Sequence, residues 1–466
     1  MRRCALLLLA AVSWLYGVVA LASTRPHYGG TLRLAVREAP ISLYPADPSQ
    51  SDSPVMRSLY RLIFDTLVVL DARGLPQPGL AVSWQADPGN QRWQFAIRRG
   101  VSFQDGIAVS PDAVAGSLRA ANPNWKIFAA GEGIVIECDA PTANLPAILA
   151  LPRYGIAKRT GGKLTGSGPF AVKQWDPGKK LSLAAREDYW AGRAFVDAIE
   201  IEMGKTFREQ ILEFDLGKAD VVEVAPDQAR RMAAEGRSIR SSAAAEWMGL
   251  IFRDDLRPDL SRDQAPDGQS TNEKLRAALA FSVDRDSMNN VLLQGGGEPA
   301  GALLPNWMTG YAFLFPTAAD MQRAQLTRGE VPQAPAWSLG YDASDPLARV
   351  IAERVVLNAR DAGLRLQAVS SATADVSLLR VPLVSLDAEV ALTNLAAKLG
   401  LPQPKFDGDQ PAALYAAENA LLQSQRIIPL LYLRPAVAVR ANVRDWTEDQ
   451  VGEWDLQNVW METEKP

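Results

Sequence analysis

The pattern of hydrophobic and polar residues switches between strand and helix periodicity along the first hundred residues. Residues 29–36 (GGTLRLAV) alternate in the way that predicts a β-strand. Residues 53–71 open with Ser-Pro, a helix start signal, and then place hydrophobic residues at helical spacing. Trp93, Phe95 and Ile97 alternate with polar residues, so we predict a half-buried strand there. The chain therefore begins with mixed α/β structure.

Residues 101–118 (VSFQDGIAVSPDAVAGSL) combine a tight turn with a helix start. The Asp-Gly pair at 105–106 is typical of a tight turn. Ser110 provides an N-cap, Pro111 takes the first helical position, and Asp112 puts a negative charge in the first turn. We therefore predict a hairpin that leads directly into a helix, with a structural rather than a catalytic role.

The second half of the chain carries a pattern typical of a βαβ unit. Residues 336–369 contain a strand pattern, a capped helix, a glycine stop at Gly363 and a second strand pattern. Because two strands joined through a helix run parallel, this pattern predicts a parallel sheet in this half. Residues 272–293 predict a pair of amphipathic helices, with Leu275 and Leu279 on one face.

Length and composition indicate a globular protein of two or three domains, or one large bilobal body. The chain has 466 residues, of which 47% are hydrophobic and 22% are charged. The formal net charge is −4, and no stretch concentrates Lys and Arg. A nucleic-acid-binding protein needs a basic surface to neutralise phosphates, so we expect no nucleic-acid partner.

The amino terminus has the pattern of an export signal. Arg2 and Arg3 precede an apolar run from residue 5 to about residue 20, and small residues follow, so we expect cleavage after Ala22. An uncleaved membrane anchor is the alternative, but the apolar run is short for a bilayer span. Cys4 precedes the apolar run and therefore cannot be the lipid-attachment cysteine of a bacterial lipoprotein.

Few residues have the chemistry of a catalytic or metal site. After removal of the export signal Cys138 is the single cysteine, so no internal disulfide can form, and we expect a buried residue rather than a reactive thiol. His27 is the only histidine, which argues against Ser-His-Asp or Cys-His catalysis and against a multi-histidine zinc site. We predict a binding protein with no catalytic residues, no cofactor and no metal site.

Seven motifs follow one another in a set order between about Gly29 and about Val459. They are GGTLRLAVREAPISLYPAD, LIFDTLVVLDARGLPQPGLAVSW, WQFAIRRGVSFQDGIAVSPDAVAGSL, GSGPFAVKQW, REDYWAG, EKLRAALAFSVDRDSM and IIPLLYL. In this order they resemble the family 5 extracellular solute-binding proteins, the peptide- and nickel-type receptors of ATP-binding-cassette (ABC) importers.

The resemblance implies an α/β, bilobal fold of the periplasmic-binding-protein type (class II). Two mixed α/β lobes are joined by a hinge, a small extra subdomain is inserted, and the ligand is enclosed between the lobes. The boundaries we expect are a signal peptide at 1–22, a first lobe at 23–52, 165–245 and 435–466, a subdomain at 53–164, and a second lobe at 246–434.

The resemblance also suggests which residues contact the ligand. Relatives that bind peptides often carry an aspartate in the later lobe that holds the peptide's amino terminus, but Arg380 stands near that place here. An arginine suits a carboxylate through bidentate hydrogen bonding, and the alternative is an exposed charge at a strand end. The candidate ligand-binding residues are Ser42, Tyr44, Arg153, Tyr154, Trp247 and Arg380.

The function that we expect is an importer receptor for peptides or similarly sized solutes. It is expected to be periplasmic and monomeric, and to deliver its ligand to an inner-membrane permease. One alternative is a receptor of the same fold for a metal chelate or a sugar. Another is a sensor or scaffold that no longer takes part in transport, which the short segment between residues 102 and 166 favours.

Overall fold

The computed structural model describes residues 25–253, 271–371, 373–408, 410–423 and 425–462. The predicted signal peptide lies outside these residues. The strands are, in chain order, β1 (Thr31–Ala35), β2 (Val68–Leu70), β3 (Pro76–Pro78), β4 (Ala81–Ala86), β5 (Arg92–Ile97), β6 (Lys126–Ala130), β7 (Gly133–Glu137), β8 (Ala157–Thr160), β9 (Lys163–Gly166), β10 (Phe170–Asp176), β11 (Lys180–Ala185), β12 (Ala198–Glu202), β13 (Val221–Val224), β14 (Ile239–Ser241), β15 (Glu246–Phe252), β16 (Gly297–Pro299), β17 (Ala336–Gly340), β18 (Arg365–Val369), β19 (Val376–Pro382), β20 (Ile427–Leu433), β21 (Ala436–Val439), β22 (Val443–Arg444) and β23 (Trp460–Met461). The α-helices are α1 (Pro54–Ile63), α2 (Pro111–Ala121), α3 (Leu145–Leu149), α4 (Phe207–Asp215), α5 (Ala229–Ala234), α6 (Thr271–Ser282), α7 (Arg285–Ser287), α8 (Asn306–Thr309), α9 (Met321–Gly329), α10 (Pro346–Asp361), α11 (Ala388–Lys398) and α12 (Ala412–Gln423).

A seven-stranded sheet with the order β10-β11-β12-β1-β13-β21-β14 forms the first body of the fold. Strand β1 runs parallel to both of its neighbours, and the remaining pairs are antiparallel. The predicted alternation of residues 29–36 buries Leu32 and Leu34 in the core on one face of this sheet.

Helix α1 packs into the core of the seven-stranded sheet. It begins as the Ser-Pro signal predicts, because the Ser53 hydroxyl accepts a hydrogen bond from the Met56 N–H at 3.3 Å and Pro54 takes the first helical position. Met56 and Leu59 are fully buried there. The packing thus associates α1 with the first sheet, although we predicted that it belongs to the inserted subdomain. The subdomain boundaries stay a prediction.

A four-stranded antiparallel sheet with the order β4-β5-β7-β6 packs against α2. The turn and helix start predicted for residues 101–118 are confirmed: Asp105 accepts a hydrogen bond from the Ile107 N–H, and the Ser110 hydroxyl accepts one from the Ala113 N–H. Cys138 directly follows β7 and is half-buried, and burial raises the pKa of its thiol.

A six-stranded sheet with the order β16-β20-β15-β19-β17-β18 forms the second body. The predicted βαβ unit is present as β17, α10 and β18, and Gly363 has the positive φ of a helix stop. The expectation of a parallel sheet holds only for β17 with β18 and β19. Strands β15, β16 and β20 pair antiparallel, so the sheet is mixed.

A buried ion pair fastens the C-terminal loop, residues 447–455, onto α1. The Arg57 Nε donates to Glu453 Oε1 at 2.7 Å, and its Nη2 donates to the Val451 carbonyl at 3.0 Å. The side chains of Arg57 and Glu453 are 3% and 6% exposed. Arg61 donates to the second oxygen of Glu453, and the Trp454 N–H donates to the Ser58 hydroxyl at 2.8 Å. The loop is therefore held on α1 both by ion pairs of Glu453 and by a hydrogen bond from its backbone.

We expect Glu453→Gln to lower the free energy of unfolding by about 3 kcal/mol, because it leaves the buried guanidinium of Arg57 without a counter-charge. Chemical denaturation measures this loss. The matched control is Glu132→Gln, which breaks the ion pair with Arg99 at the surface and should leave the stability unchanged within error. A small effect of Glu453→Gln, equal to that of the control, would contradict the structural importance of the ion pair.

Candidate functional site

Cavity A lies between the two large sheets and has a volume of 620 Å³. The first body contributes residues 206–208, 211, 225–228 and 231, and the second body contributes residues 344–347, 350 and 380. The first turn of helix α4 lines the cavity. A capping box fixes the start of this helix, since the side chains of Thr206 and Glu209 each accept a hydrogen bond from the other residue's backbone N–H. Cavity A is thus a space between lobes, not a gap within one core.

Four further cavities adjoin cavity A or one another through shared lining residues. Cavity B (290 Å³) shares four lining residues with A, cavity C (510 Å³) shares Glu448 and Trp454 with B, and cavity D (110 Å³) shares Leu151 and Val384 with C. Cavity E (500 Å³) shares Arg153 and Leu151 with D. The residues shared by A and B are Arg37, Phe207, Pro226 and Arg380. We call this series of neighbouring cavities the interlobe groove.

Arg380 lines cavities A and B, where its charge is already paired. Its guanidinium donates to both oxygens of Glu246, at 3.2 and 2.5 Å, and to Asp345 at 2.6 Å. Burial alone would lower the pKa of Arg380, but the two carboxylates outweigh it and raise the pKa above its usual value. Arg380 is therefore neither an exposed strand-end charge nor a guanidinium free for a ligand carboxylate. A ligand would have to compete with two internal partners.

Of the other predicted site residues, Arg153 and Tyr154 line the groove, whereas Ser42 and Tyr44 do not. Arg153 lines cavities D and E, and Tyr154 lines cavity E. Tyr154 is mostly buried and stacks on Trp125 with the ring centroids 5.4 Å apart, so its ring also supports the subdomain. Ser42 and Tyr44 do not line any of the five cavities. The Tyr44 ring lies under the Arg159 guanidinium instead.

The prediction for Trp247 needs a correction, because the fold does not bring this side chain to the groove. Trp247 is fully buried within the second body. Successive residues of a strand point to opposite faces, so Glu246 faces cavity B while Trp247 faces the core. Its ring also lies against Gly249, where an added Cβ would come within 2.3 Å of it.

Two arginines that our sequence analysis missed line cavity A without an ion pair to any described residue. Arg37 directly follows β1, and its guanidinium lies 4.6 Å from the centroid of the Phe207 ring. Arg208 is exposed in the first turn of α4. The signal that could have found Arg37 is its position directly after the predicted strand at residues 29–36, because α/β folds place ligands at the carboxyl ends of strands.

The carboxylate of Glu448 lines cavities B and C and was also missed. Its Oε2 is buried and has no hydrogen-bond partner. Burial raises the pKa of Glu448 to about 7; the charge of Asp449 adds to this shift and that of Arg240 opposes it. Sequence periodicity gives no sign of this residue, because it lies in an irregular loop.

Charge is distributed unevenly along the groove. Four guanidinium groups and two carboxylates line cavity A. One guanidinium and four carboxylates line cavity C. Cavity A is thus richer in guanidinium groups, and cavity C is richer in carboxylates. Within the described residues, no group of three or more His, Cys, Asp or Glu side chains could hold a metal ion, and no helix is long and apolar enough to cross a membrane.

Comparison with known proteins assigns the chain to a family. The profile of the bacterial extracellular solute-binding proteins, family 5 (middle region), matches residues 76–377, which is more than half of the chain. The chain belongs to this family.

Individual relatives agree with this assignment. Uncharacterized protein YhjP of Bacillus subtilis is 32% identical over 213 residues, covering 42% of this chain and 36% of YhjP. The chain spans between 36% and 57% of the length of the first curated relatives that it matches.

Two solved structures of other bacterial proteins share the fold over nearly the full chain. NikA of Staphylococcus aureus in complex with Ni(L-His)₂ gives a TM-score of 0.75 at 15% identity, covering 92% of this chain and 99% of NikA. The ABC transporter-associated periplasmic binding protein DppA of Helicobacter pylori, in complex with the peptide STSA, gives 0.76 at 16% identity, covering 94% and 99%. The expected bilobal, periplasmic-binding-protein-like α/β fold is confirmed.

We expect the stability of the unliganded protein to fall, relative to a Glu448→Gln variant, as the pH rises. The folded-state pKa of about 7 lies above the ordinary value of 4.5, so the folded protein holds the proton more tightly, and this contribution is lost between the two values. The difference in unfolding free energy should change by about 2 to 3 kcal/mol between about pH 4 and about pH 8. Denaturation at several pH values measures it.

The control for this pH experiment is Asp455→Asn, which removes an exposed carboxylate beside the same cavity C. This variant should keep the pH dependence of the wild-type protein. If wild type and Glu448→Gln instead show parallel pH profiles, Glu448 does not titrate near neutral pH in the folded protein.

Proposed function

We propose that the chain is the substrate-binding subunit of an ABC importer, which captures a peptide or similarly sized solute in the interlobe groove and delivers it to an inner-membrane permease. It binds without chemical conversion and works as an exported monomer after removal of the signal peptide. Its lobes and subdomain are those expected from the sequence, with α1 associated with the first lobe.

One observation carries this proposal: cavity A is walled by both sheet-containing bodies. Cavities A to E adjoin one another through shared lining residues, and an extended ligand would span several of them. A ligand in such a space contacts both bodies at once, so its binding energy favours the closed arrangement over the open one.

The connections between the bodies suit a hinge. Only residues 242–245 separate β14 of the first sheet from β15 of the second, and only residues 434–435 separate β20 from β21. Closure about two short crossings moves each lobe as a unit while the cores remain packed.

The family membership and the peptide bound to DppA of Helicobacter pylori support a peptide ligand. The nickel–histidine complex of NikA shows that the same fold also accommodates a chelate. A screen of ligand classes therefore has to include both kinds of solute.

The experiment that tests the proposal is native mass spectrometry of the mature protein, purified without denaturation, followed by a thermal-shift screen. The screen covers peptides, amino acids, sugars and metal chelates. A ligand at about one hundred times its dissociation constant should stabilise the folded state by about 2.7 kcal/mol, a readable shift in melting temperature.

A co-purified peptide or a peptide-specific shift is the result we expect. A shift with sugars or chelates alone would overturn the peptide ligand and retain the receptor. The absence of any shift and of any bound solute would contradict capture of small solutes and favour a sensor or scaffold.

A further inference from the structure

Two neighbouring glycines of the second body lie beside one of the crossings between the two large sheets. Gly296 precedes β16, and Gly297 begins this strand and pairs with Leu433 at the end of β20. After the crossing at residues 434–435 the chain continues in the first body as β21, which pairs with β13. Pro226 follows β13 by two residues. Gly296 and Pro226 therefore stand next to the same crossing, one on each body.

Gly296 approaches the first body so closely that a side chain does not fit between them. A Cβ added there would lie 2.4 Å from the Pro226 carbonyl oxygen and 3.0 Å from that of Leu293, whereas ordinary contacts begin at 3.4 Å. Gly296 is not among the glycines with a positive φ, so its own backbone would accept a side chain. A hydrogen bond of 3.3 Å from the Arg230 guanidinium to the Gln294 carbonyl joins the bodies at the same place. The tightest contact at Gly296 is thus made by the other body.

Neither side of this contact yields easily. The turn that carries Gly296 is held by its own hydrogen bonds, since the Gly296 N–H donates to the Leu293 carbonyl at 2.8 Å and the Gly297 N–H donates to Asn289 Oδ1 at 3.1 Å. On the other side, the pyrrolidine ring of Pro226 fixes its backbone φ. A side chain at position 296 would therefore be accommodated by moving the two bodies apart rather than by a local adjustment.

The second body also packs against the four-stranded sheet of the subdomain. Val390 in α11 is 1% exposed and belongs to the hydrophobic core of that sheet, whereas its neighbours Ala391 and Leu392 belong to the core of the second body. Lys398 at the end of α11 pairs with Asp52, which precedes α1, at 3.0 Å. These contacts are made by protein groups alone, and the burial of apolar surface favours them. The protein thus has contacts of its own that favour closure.

We infer that the bodies of the ligand-free protein close on each other through these contacts, and that Gly296 is the positioning residue that permits the closure. A side chain at this position would act as a wedge beside the crossing and hold the groove open. Gly296 lines none of cavities A to E, so it would affect ligand capture only through the position of the bodies. Pro226 lines cavities A and B, so a displacement at this contact changes the groove itself. Closure rests on the function proposed above only for its consequence for binding.

Small-angle X-ray scattering of the mature protein tests the inference. The protein is dialysed first, and native mass spectrometry verifies that no solute is bound. We expect the wild-type scattering curve to agree with the curve calculated from the closed structure. Gly296→Ala should increase the radius of gyration, and Gly296→Val should increase it further, because each added group widens the wedge. The milder alanine variant keeps the test decisive should the valine variant fail to fold.

The matched control is Gly297→Ala, one residue further along the same turn. A Cβ at Gly297 would lie 2.7 Å from the Tyr432 carbonyl oxygen, which belongs to the second body itself. This variant should therefore lower the melting temperature but leave the radius of gyration at the wild-type value. It separates a wedge between the bodies from damage within one of them.

Three outcomes would overturn the inference. The first is an equal radius of gyration for the wild type and both Gly296 variants, which means that the side chain is accommodated locally. The second is a wild-type curve that fits only an open arrangement. The third is an expansion of Gly297→Ala as large as that of Gly296→Ala.

Peptide binding is a separate readout, which keeps this inference distinguishable from the proposed function. With an equimolar pool of di- to tetrapeptides, Gly296→Val should bind at least about tenfold more weakly than Gly297→Ala, since a smaller fraction of the protein is closed. Equal binding by the two variants would contradict a role of Gly296 in capture. If the wild type binds no peptide, the peptide ligand is overturned, while the scattering result still decides whether Gly296 permits closure.

Discussion

The buried ion pair between Arg57 and Glu453 is the contact on which the geometry of the groove depends. It joins residues 396 positions apart in the chain, and both side chains are almost completely removed from solvent. Two charges in such surroundings are tolerated only as a well-bonded pair, so the register of the C-terminal loop on α1 is strictly set. Arg61 strengthens the same contact, and together the two arginines hold the pKa of Glu453 below its usual value although burial would raise it. That loop carries Glu448, so the position of the unpaired carboxylate follows from the ion pair.

Some charged side chains along the groove form ion pairs within the protein, and others do not. Arg380 is paired with two carboxylates, whereas Arg37, Arg208 and Glu448 have no ion-pair partner among the described residues. An unpaired charge is costly to the free protein only where it is removed from water.

The sequence was sufficient for elements that are specified by local contacts. The cap of α2 at Ser110, the start of α1 at Ser53 and the end of α10 before Gly363 all follow from residues within a few positions of one another. The motif order was sufficient for the family and the fold. The mixed pairing of the second sheet was not predictable in this way, because β15 and β20 meet across about 180 residues.

The candidate site shows the same division between local and long-range information. Arg153 and Arg380 were predicted as ligand contacts from the family resemblance, yet the pairing of Arg380 with Glu246 and Asp345 depends on three separate elements. Trp247 was misplaced because a strand turns neighbouring side chains to opposite faces, and the sequence does not reveal which face meets the groove. Glu448 could not be found at all, since only the long-range clamp on α1 brings its loop to the cavities.

The most direct measurement is a crystal structure of the protein with a peptide bound. We predict peptide density in the interlobe groove, in contact with residues of both sheet-containing bodies. Peptide density outside the groove, or density that contacts only one of the bodies, would contradict the proposed function.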